Sequence, residues 1–197
     1  MHFPSILLAA SLALTAIAGP INSTSKLETR QPGRDRRPDT FRLHVVNKCK
    51  FTKQFALYQI TPQFKMVQKS KPRNIAPGKS SIINAPFRAK GMRLSGHAEW
   101  GTDRQWNAQA LFEFGYSVYA GQEGTAYNLS VMEGSDGDIG IGAYPVGRDA
   151  SCPAKTCFPW DCPASQGWRN PNQVNQGSPA DTTCYKGMTN FKVVFCP

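Results

Sequence analysis

The chain is short of carboxylates, of histidine and of long apolar runs. Its 197 residues hold 13 acidic side chains against 23 basic ones, a formal charge of +10. Beyond residue 18 no segment is long or apolar enough to be read as a bilayer span. No stretch has the periodicity of an amphipathic helix of three turns. Only three histidines occur, His2, His44 and His97. No Gly-x-Ser-x-Gly elbow accompanies them, which argues against serine-hydrolase chemistry. Glycine-rich phosphate loops and metal-ligand spacings are also missing, so neither cofactor nor metal is expected.

What is present begins with a leader. The apolar run from Ile6 to Ile17 ends in Ala16-Ile17-Ala18, a small-residue cleavage pattern. Residues 1–18 therefore read as a signal peptide, and the mature chain as secreted, extracellular or cell-wall associated. Residues 19–40 are polar, proline-bearing and charged, with five basic and three acidic side chains. Such a segment buries no core and reads as a disordered basic arm or pro-segment. Arg30 or the pair Arg36-Arg37 would mark processing, although Pro38 directly after the pair argues against a cut there. Asn22-Ser-Thr is a glycosylation sequon. The remainder keeps a charge of about +8, which suits adhesion to an anionic surface such as an acidic wall polymer or phospholipid head groups. Nucleic acid is not an expected partner outside the cell.

Residues 41–197 read as one all-β domain, expected to be a monomer. Phe41, Leu43 and Val45 alternate with Arg42, His44 and Val46. The segments around residues 51–60, 80–84, 91–96, 110–116, 126–133 and 190–195 share the habit, with turn residues between them. Many short strands with Gly and Pro punctuation point to a sandwich or barrel. From 152 to 183 the alternation stops, and Pro, Asn, Gln and Gly dominate an irregular cysteine-containing lobe. Six cysteines, an even number, fit three disulfides in an oxidising compartment. The sequence leaves the roughly fifteen possible pairings open.

Several motifs, in order, resemble those of thaumatin-like (osmotin-like) proteins. They are Val46-Asn-Lys-Cys49, Ile75-Ala-Pro-Gly-Lys-Ser80, Arg93-Leu-Ser-Gly-His97, Leu111-Phe-Glu-Phe114, Tyr127-Asn-Leu-Ser-Val-Met-Glu-Gly134 and the ending Thr189-Asn-Phe-Lys-Val-Val-Phe-Cys-Pro197. The resemblance spans essentially all of 41–197. It implies an antiparallel β-sandwich with a cysteine-stapled loop lobe, and the disulfides Cys49–Cys196, Cys152–Cys184 and Cys157–Cys162. It also implies that the family's helical second domain is missing, collapsed into residues 157–183.

Many such proteins carry an acidic cleft associated with β-1,3-glucan binding and, in some, weak hydrolysis. Carried over position by position, the cleft would comprise His97, Glu113, Asn128 and Glu133. Glu113 keeps the glutamate, Asn128 and Glu133 occupy aspartate positions, and His97 stands for the arginine. The last aspartate position falls on Gly177 and Ser178, with Asp181 nearby but out of register. Glycoside hydrolysis needs two carboxyl groups, so the catalytic candidates are Glu113 and Glu133. The plainer readings weigh more: Glu113 as a strand carboxylate on a concave solvated face, and Glu133 as a turn residue before Gly134. Asn128 cannot act as acid or base, and it opens a second sequon, Asn128-Leu-Ser130. Trp100, Trp106, Tyr116 and Tyr119 fall on the cleft strands, and Trp160 and Trp168 in the lobe; such rings serve either as sugar platforms or as packing. Three functions are therefore expected in turn: binding of cell-wall β-glucan or a related anionic surface without efficient catalysis, weak endo-β-1,3-glucanase activity, or protein binding as a secreted effector or inhibitor.

Overall fold

The computed structural model describes residues 40–63, 66–95, 110–132, 139–146 and 152–197. The leader, the arm with Asn22, and the positions His97, Trp100, Trp106 and Glu133 lie outside the described residues.

The strands are β1 (Thr40–Asn47), β2 (Lys53–Ile60), β3 (Met66–Gln68), β4 (Arg73–Ile75), β5 (Ser80–Pro86), β6 (Met92–Ser95), β7 (Leu111–Tyr119), β8 (Gln122–Ser130), β9 (Ile141–Val146), β10 (Lys155–Cys157), β11 (Gly167–Trp168), β12 (Thr182–Cys184) and β13 (Asn190–Phe195). One sheet runs β10-β9-β13-β1-β5. The other runs β11-β8-β7-β6-β2-β3, with β12 also on β8 and β4 on β2. Among the described residues the pairing is antiparallel with two exceptions. β11 lies parallel to β8, and β13 lies parallel to β1 with Val45 opposite Val193. The chain thus closes on itself by a crossover that spans the whole domain.

Period-two burial explains why these segments are strands. Along β1, Phe41, Leu43, Val45 and Asn47 are buried while Arg42 and His44 are exposed. Facing them across the sandwich are Leu94, Phe112, Phe114 and Leu129, all buried in one core with Phe191 and Val193. Phe41 meets Phe114 edge-on at 5.2 Å, and Phe191 packs against both Phe112 and Tyr127. Geometry of this kind adds roughly 0.5–1.5 kcal/mol per pair to area burial.

One buried polar residue organises the entry to the domain. Asn47 is fully buried; its Nδ2 donates to the carbonyls of Phe51 and Ile75, both at 2.8 Å, and its Oδ1 accepts from Cys49 N–H. Its backbone bonds to Lys79 and Gly78. Gly78 has φ of +71°, a conformation open to glycine without strain. Both the Asn-x-Cys segment and the Pro-Gly turn therefore surround one amide.

Three disulfides are formed: Cys49–Cys196, Cys152–Cys184 and Cys157–Cys162. The first joins the ends of β1 and β13. The segment from 152 to 183, expected as an irregular lobe, contains β10, β11, a 3-10 helix over Pro171–Gln176 and the start of β12. β10 extends the smaller sheet while β11 and β12 extend the larger. The cysteine-rich stretch is thus stitched into both layers. Its strands are only two or three residues long, too short to show alternation. The 3-10 helix starts at a capping box in which the Asn170 side chain accepts from Asn172 N–H and Gln173 reaches back to the cap.

Candidate functional site

Three strands of the larger sheet each place one polar residue between two buried apolar ones: Met92-Arg93-Leu94, Phe112-Glu113-Phe114 and Tyr127-Asn128-Leu129. Since the apolar neighbours face the core, the polar residues face the opposite side. Register then aligns them, Arg93 opposite Glu113 and Glu113 opposite Asn128. On the far side of β8, β12 pairs Thr182 with Tyr127 and Thr183 with Ala126, which brings Asp181 beside Asn128. A row Arg93, Glu113, Asn128, Asp181 therefore crosses the outer face of the sheet.

The row is the floor of a groove of about 490 Å³, continued along the strands by Lys90, Gly115, Ser117, Ala126 and Thr183. Arg93 Nε donates to Glu113 Oε1 at 2.5 Å, and the two side chains are only 16% and 18% exposed. Asn128 Nδ2 donates to Asp181 Oδ1 at 3.1 Å, and Trp168 Nε1 donates to the same oxygen at 2.7 Å. Burial holds the Glu113 carboxyl above the usual carboxylate range; the Arg93 charge pulls it down, and the Asp181 charge pushes it up. Asn128 Oδ1 is buried, with no hydrogen-bond partner among the described residues. A buried orphan acceptor carries a desolvation cost of about 1–3 kcal/mol.

Beneath this row, Lys155 is almost fully buried. Its ammonium donates to the Ser165 carbonyl at 2.8 Å and lies 5.9 Å from the centre of the Tyr127 ring. Burial lowers its pKa, opposed by the Asp181 charge. Tyr127 donates its hydroxyl to the Pro153 carbonyl at 2.6 Å, and burial pushes its pKa up to about 12.

No family model matches the sequence, and no curated protein is significantly similar to it. The protein elicitor MoHrip2 from Magnaporthe oryzae is similar in structure, with a TM-score of 0.54 at 15% identity over 80% of this chain and 99% of that one. The thaumatin-like xylanase inhibitor TLXI gives 0.49 at 16% identity over 79% and 99%. The fold is thaumatin-like. At such identities the likeness concerns fold alone.

On this thaumatin-like sandwich the four expected cleft residues fare differently. Glu113 and Asn128 are adjacent on the groove floor. His97 and Glu133 lie outside the described residues. Two further groove residues, Arg93 and Asp181, are not among the expected four. Arg93 is the arginine that reaches Glu113, and Asp181 is in the groove although linear counting puts it out of register. The antiparallel pairing of β12 with β8 decides the position of Asp181, and spacing along the chain does not report that pairing. For Arg93 a signal exists in the sequence, the shared apolar-polar-apolar triplet. Among the aromatics, Trp168 holds the groove residue Asp181 by its indole N–H without lining the groove itself, whereas Trp160 stands 72% exposed and stacked on Phe158. Tyr116 packs against Phe87, with Arg88 over its ring. Among the described residues no group of His, Cys, Asp or Glu could hold a metal ion. Among them, too, no helix is long and apolar enough to cross a membrane.

Proposed function

We propose that the protein is an extracellular binding protein for a neutral cell-wall polysaccharide, a β-1,3-glucan, held in the Arg93–Glu113–Asn128–Asp181 groove without efficient catalysis. The observation that carries this is the row of hydrogen-bonding side chains, Arg93, Glu113, Asn128 and Asp181, laid side by side along the floor of one groove. A ligand that satisfies such a floor must bring hydrogen-bond donors. Sugar hydroxyls donate and accept at once, so they suit a floor rich in acceptors with Arg93 and Lys90 at its edge.

Catalysis is disfavoured because both groove carboxylates among the described residues are already engaged. Glu113 is tied to Arg93, and Asp181 accepts from Trp168 and Asn128. A general acid needs a free proton-bearing oxygen near the leaving group. The test is retention on insoluble β-1,3-glucan against chitin and cellulose at moderate salt, alongside a reducing-sugar assay on laminarin. Retention without sugar release is expected. Failure to bind would overturn the reading, and release of sugar that is lost in Glu113→Gln would replace it with a glucanase.

A second reading, protein binding, is favoured by a different feature. The Cys157–Cys162 ring presents Trp160 stacked on Phe158, and Val174 is also exposed. Rigid exposed aromatics of this kind are common anchors at protein interfaces. The word elicitor in the name of the similar Magnaporthe protein is compatible with it. Capture of a defined wall-degrading enzyme that Trp160→Ala abolishes, with glucan retention unchanged, would support it.

A further inference from the structure

We infer that Tyr119 and Tyr185 form a second sugar subsite at the far end of the groove, stacking on a pyranose ring of the same glucan chain; this rests on the glucan reading. The two rings are brought together from strands on either side of β8. On β7 the residues facing away from the core are Glu113, Gly115, Ser117 and then Tyr119. Alongside β12 they are Asp181, Thr183 and then Tyr185. Glu113, Gly115, Ser117, Asp181 and Thr183 all line the groove. Each tyrosine is therefore the next outward-facing position after a groove residue.

The rings lie 5.9 Å apart, centre to centre, tilted by 43°. Tyr119 is 71% exposed and Tyr185 38%. What draws them together is Gly124 on β8. A Cβ there would stand 2.9 Å from Tyr185 Cα and closer still to the Cys184 carbonyl oxygen. Only a residue without a side chain lets the chain after Cys184 settle over β8 and carry its tyrosine to Tyr119. The Gly187 N–H bond to the Glu123 carbonyl, 2.8 Å, holds that segment down. Between the acidic row and the tyrosines the floor is made of small side chains, Ser117, Ala126 and Thr183, so a chain can run the length of it. The strand from Glu113 to Tyr119 is roughly 20 Å long at the usual rise. That is a span of several sugar rings, so the polymer is read at two separated points.

The arrangement makes affinity depend on chain length. The experiment is calorimetric titration of the mature protein with laminari-oligosaccharides from the disaccharide to the heptasaccharide. Wild type, Tyr119→Ala, Tyr185→Ala, Tyr119→Phe and Asp181→Asn are compared, each first checked for an unchanged melting temperature. Affinity of wild type should climb with length. Tyr119→Ala and Tyr185→Ala should each weaken the heptasaccharide, by roughly tenfold for one lost ring contact, and leave the disaccharide unchanged. Tyr119→Phe should keep the long-chain affinity, because the contact is through the ring. Asp181→Asn should weaken all lengths. If wild type binds the heptasaccharide and both alanine variants bind it equally well, the subsite falls and the groove reading stands. Loss in Tyr119→Phe equal to that in Tyr119→Ala overturns the stacking role. If wild type binds no oligosaccharide of any length, both readings fall together.

Discussion

Arg93 lies directly across the strand pair from Glu113, its Nε 2.5 Å from the carboxylate. The pair is not enough to keep Glu113 in the ordinary range, because burial outweighs the arginine. The folded protein therefore holds the Glu113 proton to higher pH than the unfolded chain does. Over the window from 4.5 upward to that raised pKa, the native state binds more protons, so this group's contribution to stability falls as pH rises. Subtracting the pH dependence of Glu113→Gln from that of wild type should leave a negative slope in that window. Paired thermal melts across the acid and neutral range measure it, and a positive slope would contradict the raised pKa.

Asn47 predicts a different kind of failure. Asn47→Ala strands two carbonyls and one N–H in the interior. The expected loss is about 3 kcal/mol or more, read by urea unfolding with an unchanged m-value. Asn47→Asp should be no rescue, since a carboxylate cannot donate to Phe51 and Ile75 and would be buried.

The Cys49–Cys196 bond closes a separation of 147 residues. Chain-entropy reasoning assigns such a loop on the order of 5 kcal/mol. The Cys49→Ser/Cys196→Ser protein should lose about that much, mainly through a freer unfolded chain, while the β1–β13 ladder keeps the native fold recognisable by circular dichroism. A much smaller loss would show that the unfolded chain stays compact at its ends.

Tyr127 should ionise late. Its pKa is pushed from 10.0 to about 12, so stability present below pH 10 is lost as pH rises through that interval. Ultraviolet titration of wild type should contain a tyrosinate step near pH 12 that Tyr127→Phe removes. The same variant should cost about 1 kcal/mol at neutral pH for the lost bond to Pro153.

Asn128 should carry no glycan in the native protein. Its Nδ2, the atom to which a sugar would be joined, donates to Asp181 in the groove floor. Peptide mass mapping should find Asn128 unmodified. A modified Asn128 would mean that the groove is filled by the protein's own carbohydrate and would end the glucan reading.

Much of the sandwich is legible in one dimension. The alternation in β1 and β13, the Asn47–Cys49 segment and the Pro-Gly turn at 77–78 are local patterns, and local patterns can be read along the chain because side-chain direction follows the period of the strand. Glu113 and Asn128 are legible for the same reason, each a polar residue amid apolar neighbours. The segment from 152 to 183 is not, since its short strands draw their reason from partners in two different sheets.

Strand alternation at both ends of the domain, with Phe41, Leu43 and Val45 on one face, is written in the chain, as is the polar character of Glu113 and Asn128 within apolar strands. The parallel seating of β13 on β1, the meeting of Arg93 with Glu113, and the approach of Asp181 and Tyr185 to β8 come from the folded whole. The reason is that strand period is written residue by residue, whereas register between strands distant in sequence is settled by closure of the whole core.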